Sequence, residues 1–291
     1  SFPFGMMGNA AVFGFFAERS HRLVPFSDCP IQDERIVDAA RRVAAWANAC
    51  GVPVYDETTG EGQLRHVVAR TTAEGELMVT VVTKGQLKKK DDLLTFLEDC
   101  DSVWHNENPK QTNVVFGERF TLLAGKQVLT ETIGEKRFSV SPQSFLQVNR
   151  VQTQALYETA REFLAAKPTE TVVDAYCGVG TISLFVAEDC ARVVGIEQVA
   201  PAIEDAKANA AANGVKNVEF ICGNVEDVLP RLLTREENVD AIVLDPPRKG
   251  CEEAALEAIA KSTAYRVVYV SCNPATHARD CKYLSQHGFT L

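Results

Sequence analysis

No stretch of the 291 residues approaches the roughly 18 to 20 consecutive apolar positions of a bilayer-spanning helix, so none is expected. Glycine (18) and proline (12) are too few and too scattered for a collagen-like or low-complexity chain. The opening Ser1-Phe2-Pro3-Phe4 lacks the basic region and apolar run of a secretory signal. It also lacks an initiator methionine, so the chain reads as part of something longer. The nine cysteines include no Cys-x-x-Cys pair, which argues against a disulfide framework and for reduced thiols in a cytoplasmic enzyme. Excess positive charge is missing too. The formal net charge is −9: residues 1–170 carry 19 Lys and Arg against 22 Asp and Glu, and residues 171–291 carry 11 against 17. That balance speaks against non-specific nucleic-acid binding. Local clusters at Arg19, Arg22, Arg41, Arg42, Lys84 and Lys88-Lys89-Lys90 have a solvated surface as their plainest reading.

What is present changes texture near residue 138. Before it, Leu64–Arg70, Glu76–Thr83 and Asn113–Phe116 read as short antiparallel strands punctuated by glycines. Apolar positions at Ile36, Val37, Ala40, Val43, Ala44 and Ala47 predict a helix over Glu34–Ala49, and a second is expected over Asp91–Asp101. Residues 1–137 are therefore expected to form a smaller α+β domain. Across 138–291 strands and helices alternate, with strands at Thr171–Tyr176, Ala191–Ile196, Val218–Cys222, Ala241–Asp245 and Arg266–Ser271. These strands are continuous apolar runs, which indicates burial on both faces. Their alternation with helices predicts an α/β, doubly wound, Rossmann-like parallel sheet. Ligands of such sheets bind beyond the carboxyl ends of the strands, so chemistry is sought immediately after each one.

The first strand runs into Asp174-Ala175-Tyr176-Cys177-Gly178-Val179-Gly180-Thr181. Gly178 and Gly180 permit a tight turn close to a ligand, although the third glycine of a dinucleotide fingerprint is replaced by Ser183. The second strand ends at Glu197, a carboxylate able to accept from both hydroxyls of a ribose. Together these features point to an adenosine cofactor, with NAD, FAD and S-adenosylmethionine all compatible. Asn224 follows the third strand, as an adenine contact or simply a helix cap. Asp245-Pro246-Pro247-Arg248 follows the fourth, where two prolines stiffen a turn carrying a carboxylate and a guanidinium. Ser271-Cys272-Asn273-Pro274 follows the fifth and aims a thiol at the same mouth.

In this order and spacing, over about 140 residues and together with Ser141-Pro142-Gln143-Ser144-Phe145-Leu146-Gln147-Val148-Asn149, the sequence resembles the RNA uracil-C5 methyltransferases that use S-adenosylmethionine. The resemblance implies Gln147, Tyr176, Gly178, Gly180, Thr181, Glu197, Asn224 and Asp245 around the cofactor, Cys272 as nucleophile and Arg248 in the catalytic corner. Thr181 stands where the family often has Asn. Arg19-Ser20-His21 and Asp28-Cys29-Pro30-Ile31-Gln32 look closest to the bacterial 23S ribosomal RNA branch, in which a cysteine at the place of Cys29 can be the fourth ligand of a [4Fe–4S] cluster. The resemblance also implies an oligonucleotide-binding barrel before Ser1, a general-base Glu beyond Leu291, and a cytoplasmic, monomeric enzyme that binds RNA and no membrane. A transfer RNA uracil-5-methyltransferase, or an amino-group methyltransferase on nucleic acid, is the alternative.

The chemistry explains these groups. Carbon 5 of uracil is a weak nucleophile, and adding a thiolate at carbon 6 turns it into an enolate carbon, splitting one hard step into easier ones. Pro274 would open a helix just after Cys272, and a helix N-terminus favours an anion. An amine methyltransferase has no use for Cys272, and Ser183 counts against an NAD enzyme. A non-catalytic RNA-binding module would not need the nucleophile motif.

Overall fold

The computed structural model describes residues 1–235 and 238–290, with Glu236, Glu237 and Leu291 outside the described residues. The chain divides into two units, Ser1–Glu131 and Thr132–Leu291.

The first unit carries β1 (Phe2–Met7), β2 (Ala10–Phe16), β3 (Leu23–Pro25), α1 (Glu34–Cys50), β4 (Leu64–Thr71), β5 (Leu77–Thr83), α2 (Lys90–Phe96), β6 (Ser102–Glu107) and β7 (Arg119–Gly125). The strands form one sheet in the order β3-β2-β1-β4-β5-β6-β7. Val37, Ala40, Val43 and Ala47 line the buried face of α1, as their 3.6-residue spacing dictates. Two expectations need correcting. Asn113–Phe116 is a loop: the Asn108 amide donates to the carbonyls of Val114 (2.7 Å) and Val115 (3.1 Å), so a side chain takes the acceptors that a neighbouring strand would have used. The second helix stops at Phe96, because Leu97 and Cys100 turn to three-residue hydrogen bonds at 3.2 and 3.1 Å. β4 and β5 pair antiparallel as expected, and β6, a strand the sequence pattern did not announce, pairs parallel with β5 through α2.

A short ribbon of β8 (Leu129–Ile133) and β9 (Lys136–Val140) leads into α3 (Arg150–Leu164). Then come β10 (Thr171–Ala175), α4 (Thr181–Val186), β11 (Arg192–Glu197), α5 (Ala200–Ala212), β12 (Val218–Cys222), α6 (Val225–Arg235), β13 (Ala241–Leu244), α7 (Glu253–Lys261), β14 (Arg266–Tyr269) and α8 (Pro274–Gln286). The five strands are parallel in the order β12-β11-β10-β13-β14. Successive residues serve opposite faces. Val172, Val193, Ala241 and Val243 pack with α3 and α4, whereas Val173, Val194, Ile242 and Leu244 pack with α6 and α7. The chain runs outward from β10 to β12 and restarts at β13 on the other side of β10. The covering helices change face there, which opens a crevice between the carboxyl ends of β10 and β13.

β9 is held along the flank of α5 by a polar ladder. Asn213 Oδ1 accepts the Arg137 amide (2.9 Å), Asn209 Oδ1 accepts the Ser139 amide (2.7 Å), and Asp205 Oδ2 accepts the hydroxyls of Ser141 (3.2 Å) and Ser144 (2.8 Å). Four residues of helix rise about 6 Å and two of strand about 6.8 Å, so every fourth helical residue meets every second strand residue.

Candidate active site

The turn after β10 is built from left-handed residues: Tyr176 at φ 68°, Gly178 at 54° and Gly180 at 80°. A tyrosine there costs about 1 kcal/mol or more of backbone strain, and its hydroxyl is pinned by donating to Glu226 Oε1 at 3.1 Å. The two glycines differ in purpose. A Cβ on Gly180 would stand 2.9 Å from the Phe220 ring, so close packing demands glycine, whereas beyond Gly178 nothing lies within 4 Å. The backbone at Gly178 is therefore open to a ligand. Asn209 Nδ2 donates to the Val179 carbonyl (3.1 Å) and ties this turn to the ladder.

Glu197, at the end of β11, accepts the Gly178 amide at 3.2 Å on one oxygen and the Val199 amide at 2.8 Å on the other. Each oxygen keeps a lone pair for a further donor. Asp174 lies beneath the turn, fully buried; Ser183 donates to Oδ2 at 2.5 Å and Oδ1 has no hydrogen-bond partner among the described residues. Burial, with lesser contributions from Asp245 and Glu197, pushes its carboxyl up to about 7 against the bonds from Ser183. Burial likewise raises Asp245, at the end of β13, to about 6. Carboxylates held away from water in this way favour a cationic visitor.

Gln147, Asp245 and Cys272 line one cavity of about 300 Å³, whose wall is completed by Leu156, Thr159, Ala160 and Phe163 of α3. Cys272 is exposed and precedes the cap of α8, where Asn273 Oδ1 accepts the Ala275 amide (3.1 Å) and Pro274 opens the helix. Asn273 Nδ2 (3.0 Å) and Thr276 Oγ1 (3.3 Å) both donate to the Arg248 carbonyl, joining the turn after β14 to the turn after β13. The Arg248 guanidinium is exposed and unpaired among the described residues.

Thr181 is buried, its hydroxyl donating to Tyr157 at 3.1 Å. Asn224 is exposed; its backbone carbonyl accepts the amides of Asp227 (3.1 Å) and Val228 (2.9 Å) at the start of α6, and its Nδ2 donates to Asp227 Oδ2 at 3.5 Å. Cys29 lies in the first unit, packed at the edge of that unit's core. No group of three His, Cys, Asp or Glu among the described residues could hold a metal ion, so Cys29 offers one cluster ligand of four. No described helix is long and apolar enough to cross a membrane. Sequence reasoning missed α3, whose stripe is weakly apolar, and Glu226, Tyr269 and Asp280, polar partners that carry no motif signal.

The sequence model of a family described as tRNA (Uracil-5-)-methyltransferase matches residues 124–289. An uncharacterized RNA methyltransferase of Halalkalibacterium halodurans is 45% identical over 99% of this chain and 64% of its own length. Another, from Clostridium tetani, is 42% identical over the same shares. The chain thus spans 64% of the length of these curated relatives. Among solved structures, Pyrococcus abyssi tRNA (uracil-54, C5)-methyltransferase in complex with S-adenosyl-L-homocysteine superposes with a TM-score of 0.78 and 28% identity, over 97% of this chain and 68% of that one.

Proposed function

The chain belongs to the tRNA (uracil-5-)-methyltransferase family, and from that premise we propose that it carries the catalytic unit of an S-adenosylmethionine-dependent RNA uracil-C5 methyltransferase. The observation that carries the reading is the convergence of Gln147, Asp245 and Cys272 on one cavity. The residues at the strand ends fit the cofactor. Gly178 leaves room against its backbone, Glu197 has lone pairs for ribose hydroxyls, and Asp245, raised only to about 6, supplies a negative field. That field suits a sulfonium and an ammonium, and it would repel the pyrophosphate of a dinucleotide. S-adenosylmethionine supplies an electrophilic methyl group; the remaining work belongs to the chain and the RNA.

Cys272 Sγ, as the thiolate, bonds to carbon 6 of the uracil, and the electrons of the 5,6 double bond move onto the carbon-4 oxygen as an enolate. The exposed Arg248 guanidinium offers donors for that negative charge. Carbon 5 takes the methyl group and then loses its proton to a base, and the electrons left behind expel Cys272. The target base must leave its stack, at about a few kcal/mol, which single-stranded loops make cheap.

For substrate we propose a uridine of 23S ribosomal RNA, on the resemblance carried by Arg19–His21 and Asp28–Gln32. The Pyrococcus neighbour, described as acting on transfer RNA, supports transfer RNA as the second reading. A cytoplasmic, monomeric protein fits either. RNA carrying 5-fluorouridine tests the mechanism, because fluorine blocks proton removal and a covalent adduct through Cys272 accumulates; an intact enzyme that methylates without one refutes it. Mass-spectrometric mapping of 5-methyluridine in a strain lacking the gene tests the substrate, and loss confined to transfer RNA overturns the ribosomal choice.

A further inference from the structure

The turn that carries Cys272 has little of its own to hold it. Ser271 and Cys272 are exposed, and the bonds from Asn273 and Thr276 to the Arg248 carbonyl lie where water competes. A third contact on the same face of α8 is different. Asn273, Thr276 and Asp280 follow one another at spacings of three and four, and all reach toward the 248–251 loop. Asp280 is fully buried. Its Oδ2 accepts the Cys251 amide (2.8 Å) and the Tyr269 hydroxyl (2.7 Å), and its Oδ1 accepts Arg279 Nε (2.7 Å). Arg279 then donates to the carbonyls of Lys249 (3.0 Å) and Cys251 (3.1 Å).

The loop backbone lies directly on this pair. Gly250 sits at φ 78°, and a Cβ there would stand 2.6 Å from Asp280 Oδ2 and 2.6 Å from Arg279 Nη2. Burial alone would raise the Asp280 carboxyl, but its donors outweigh burial and hold it below the usual range, so it is charged. One carboxylate thus joins the end of β14, the loop after β13 and the first turns of α8. Those are the three pieces whose mutual placement sets Cys272 in the cavity it shares with Asp245. Buried bonds keep their geometry where exposed ones exchange with water.

We propose that Asp280 is a positioning residue for Cys272, locking the first turns of α8 onto the loop after β13. The proposal rests on the reading of Cys272 as nucleophile. Asp280→Asn is the informative change. The amide keeps the shape, yet whichever way it turns its NH2 faces a donor, either Arg279 Nε or the Cys251 and Tyr269 pair.

The test is peptide-resolved alkylation of the whole chain with iodoacetamide. Cys222, exposed at the end of β12, is the internal reference, and buried Cys190 reports loss of fold. In D280N, the alkylation rate of Cys272 shifts about two- to fivefold as the turn that presents the thiol loosens, while that of Cys222 does not change. Adduct formation with a 5-fluorouridine-substituted 23S rRNA transcript slows about 100-fold, the usual consequence of a misplacement near 1 Å. S-adenosylhomocysteine binding stays within about twofold by calorimetry, since Asp280 touches nothing at the Gly178 turn. Wild-type alkylation and adduct rates in D280N overturn the proposal. If D280N exposes Cys190, Tyr269→Phe is read instead, since it removes one donor and keeps the ring; an unchanged adduct rate there also overturns it. A Cys272→Ala protein that still traps the RNA refutes the nucleophile reading, whatever D280N does to alkylation.

Discussion

Asn209→Ala would cut the ladder at its middle rung. Asn209 is fully buried, its Oδ1 accepting the Ser139 amide at 2.7 Å and its Nδ2 donating to the Val179 carbonyl at 3.1 Å. Each bond contributes about 1 kcal/mol net, and stranding either partner away from water adds about 1 to 3 kcal/mol. Alanine returns up to about 0.7 kcal/mol through helix propensity. Partial relaxation lets water reach one partner, so we expect a loss of about 2 to 4 kcal/mol, local to β9 and the glycine turn. The assay is hydrogen exchange read by mass spectrometry. Since about 1.4 kcal/mol is tenfold, peptides containing the Ser139 amide should exchange about 30- to 700-fold faster. Peptides of β4 and β5 in the first unit serve as the unchanged control. S-adenosylhomocysteine should bind more weakly, because the Gly178–Gly180 turn loses its tie. Unchanged exchange across β9 would refute the ladder as the element that holds it.

Three further outcomes are expected. Cys272→Ala abolishes adduct and methyl transfer while leaving cofactor affinity intact by calorimetry, and Cys272→Ser does the same because a hydroxyl ionises far less readily than a thiol. Glu197→Ala weakens cofactor binding by about 1.5 to 3 kcal/mol for one charge-assisted bond, and it also strands the Gly178 and Val199 amides, so exchange of the turn rises with it. Asp174, raised to about 7 when folded, binds more protons folded than unfolded between about pH 4 and 7. Its contribution to stability therefore falls as pH rises through that window, and Asp174→Asn should flatten the fall; urea midpoints at pH 4, 5.5 and 7 decide it.

The parallel sheet was legible because burial on both faces leaves an uninterrupted apolar run, as in Ala241–Leu244, and because chemistry gathers directly behind such runs. Elsewhere the same physics hid the elements. β6 reads Ser-Val-Trp-His-Asn-Glu, yet His105 and Asn106 are buried: His105 is within 2.7 Å of the Thr83 hydroxyl, and Asn106 holds Gly117. Polar residues satisfied in this way erase the alternation that marks a strand. α3 buries Thr153, Tyr157, Ala160 and Leu164 while exposing Val151 and Phe163, so its apolar stripe is blurred on both sides. At the site, the groups after the strands were visible as motifs. Asp280 and Asn209 were not, because each acts on backbone atoms whose whereabouts no side-chain pattern announces.

Arg248 contributes two separable things. Its carbonyl accepts from Asn273 and Thr276 of another element, and the loop just beyond it is held by Asp280 and Arg279, while its guanidinium stands in solvent with no partner among the described residues. The path of the main chain at 248 thus does not depend on which side chain the position bears. It is a socket. A lineage can exchange the group presented there in a single mutational step, changing charge, reach or the anion it greets, without a compensating change in the loop. The constraint has been moved to Asn273, where a comparable exchange would undo the cap of α8 and the bond to the socket together.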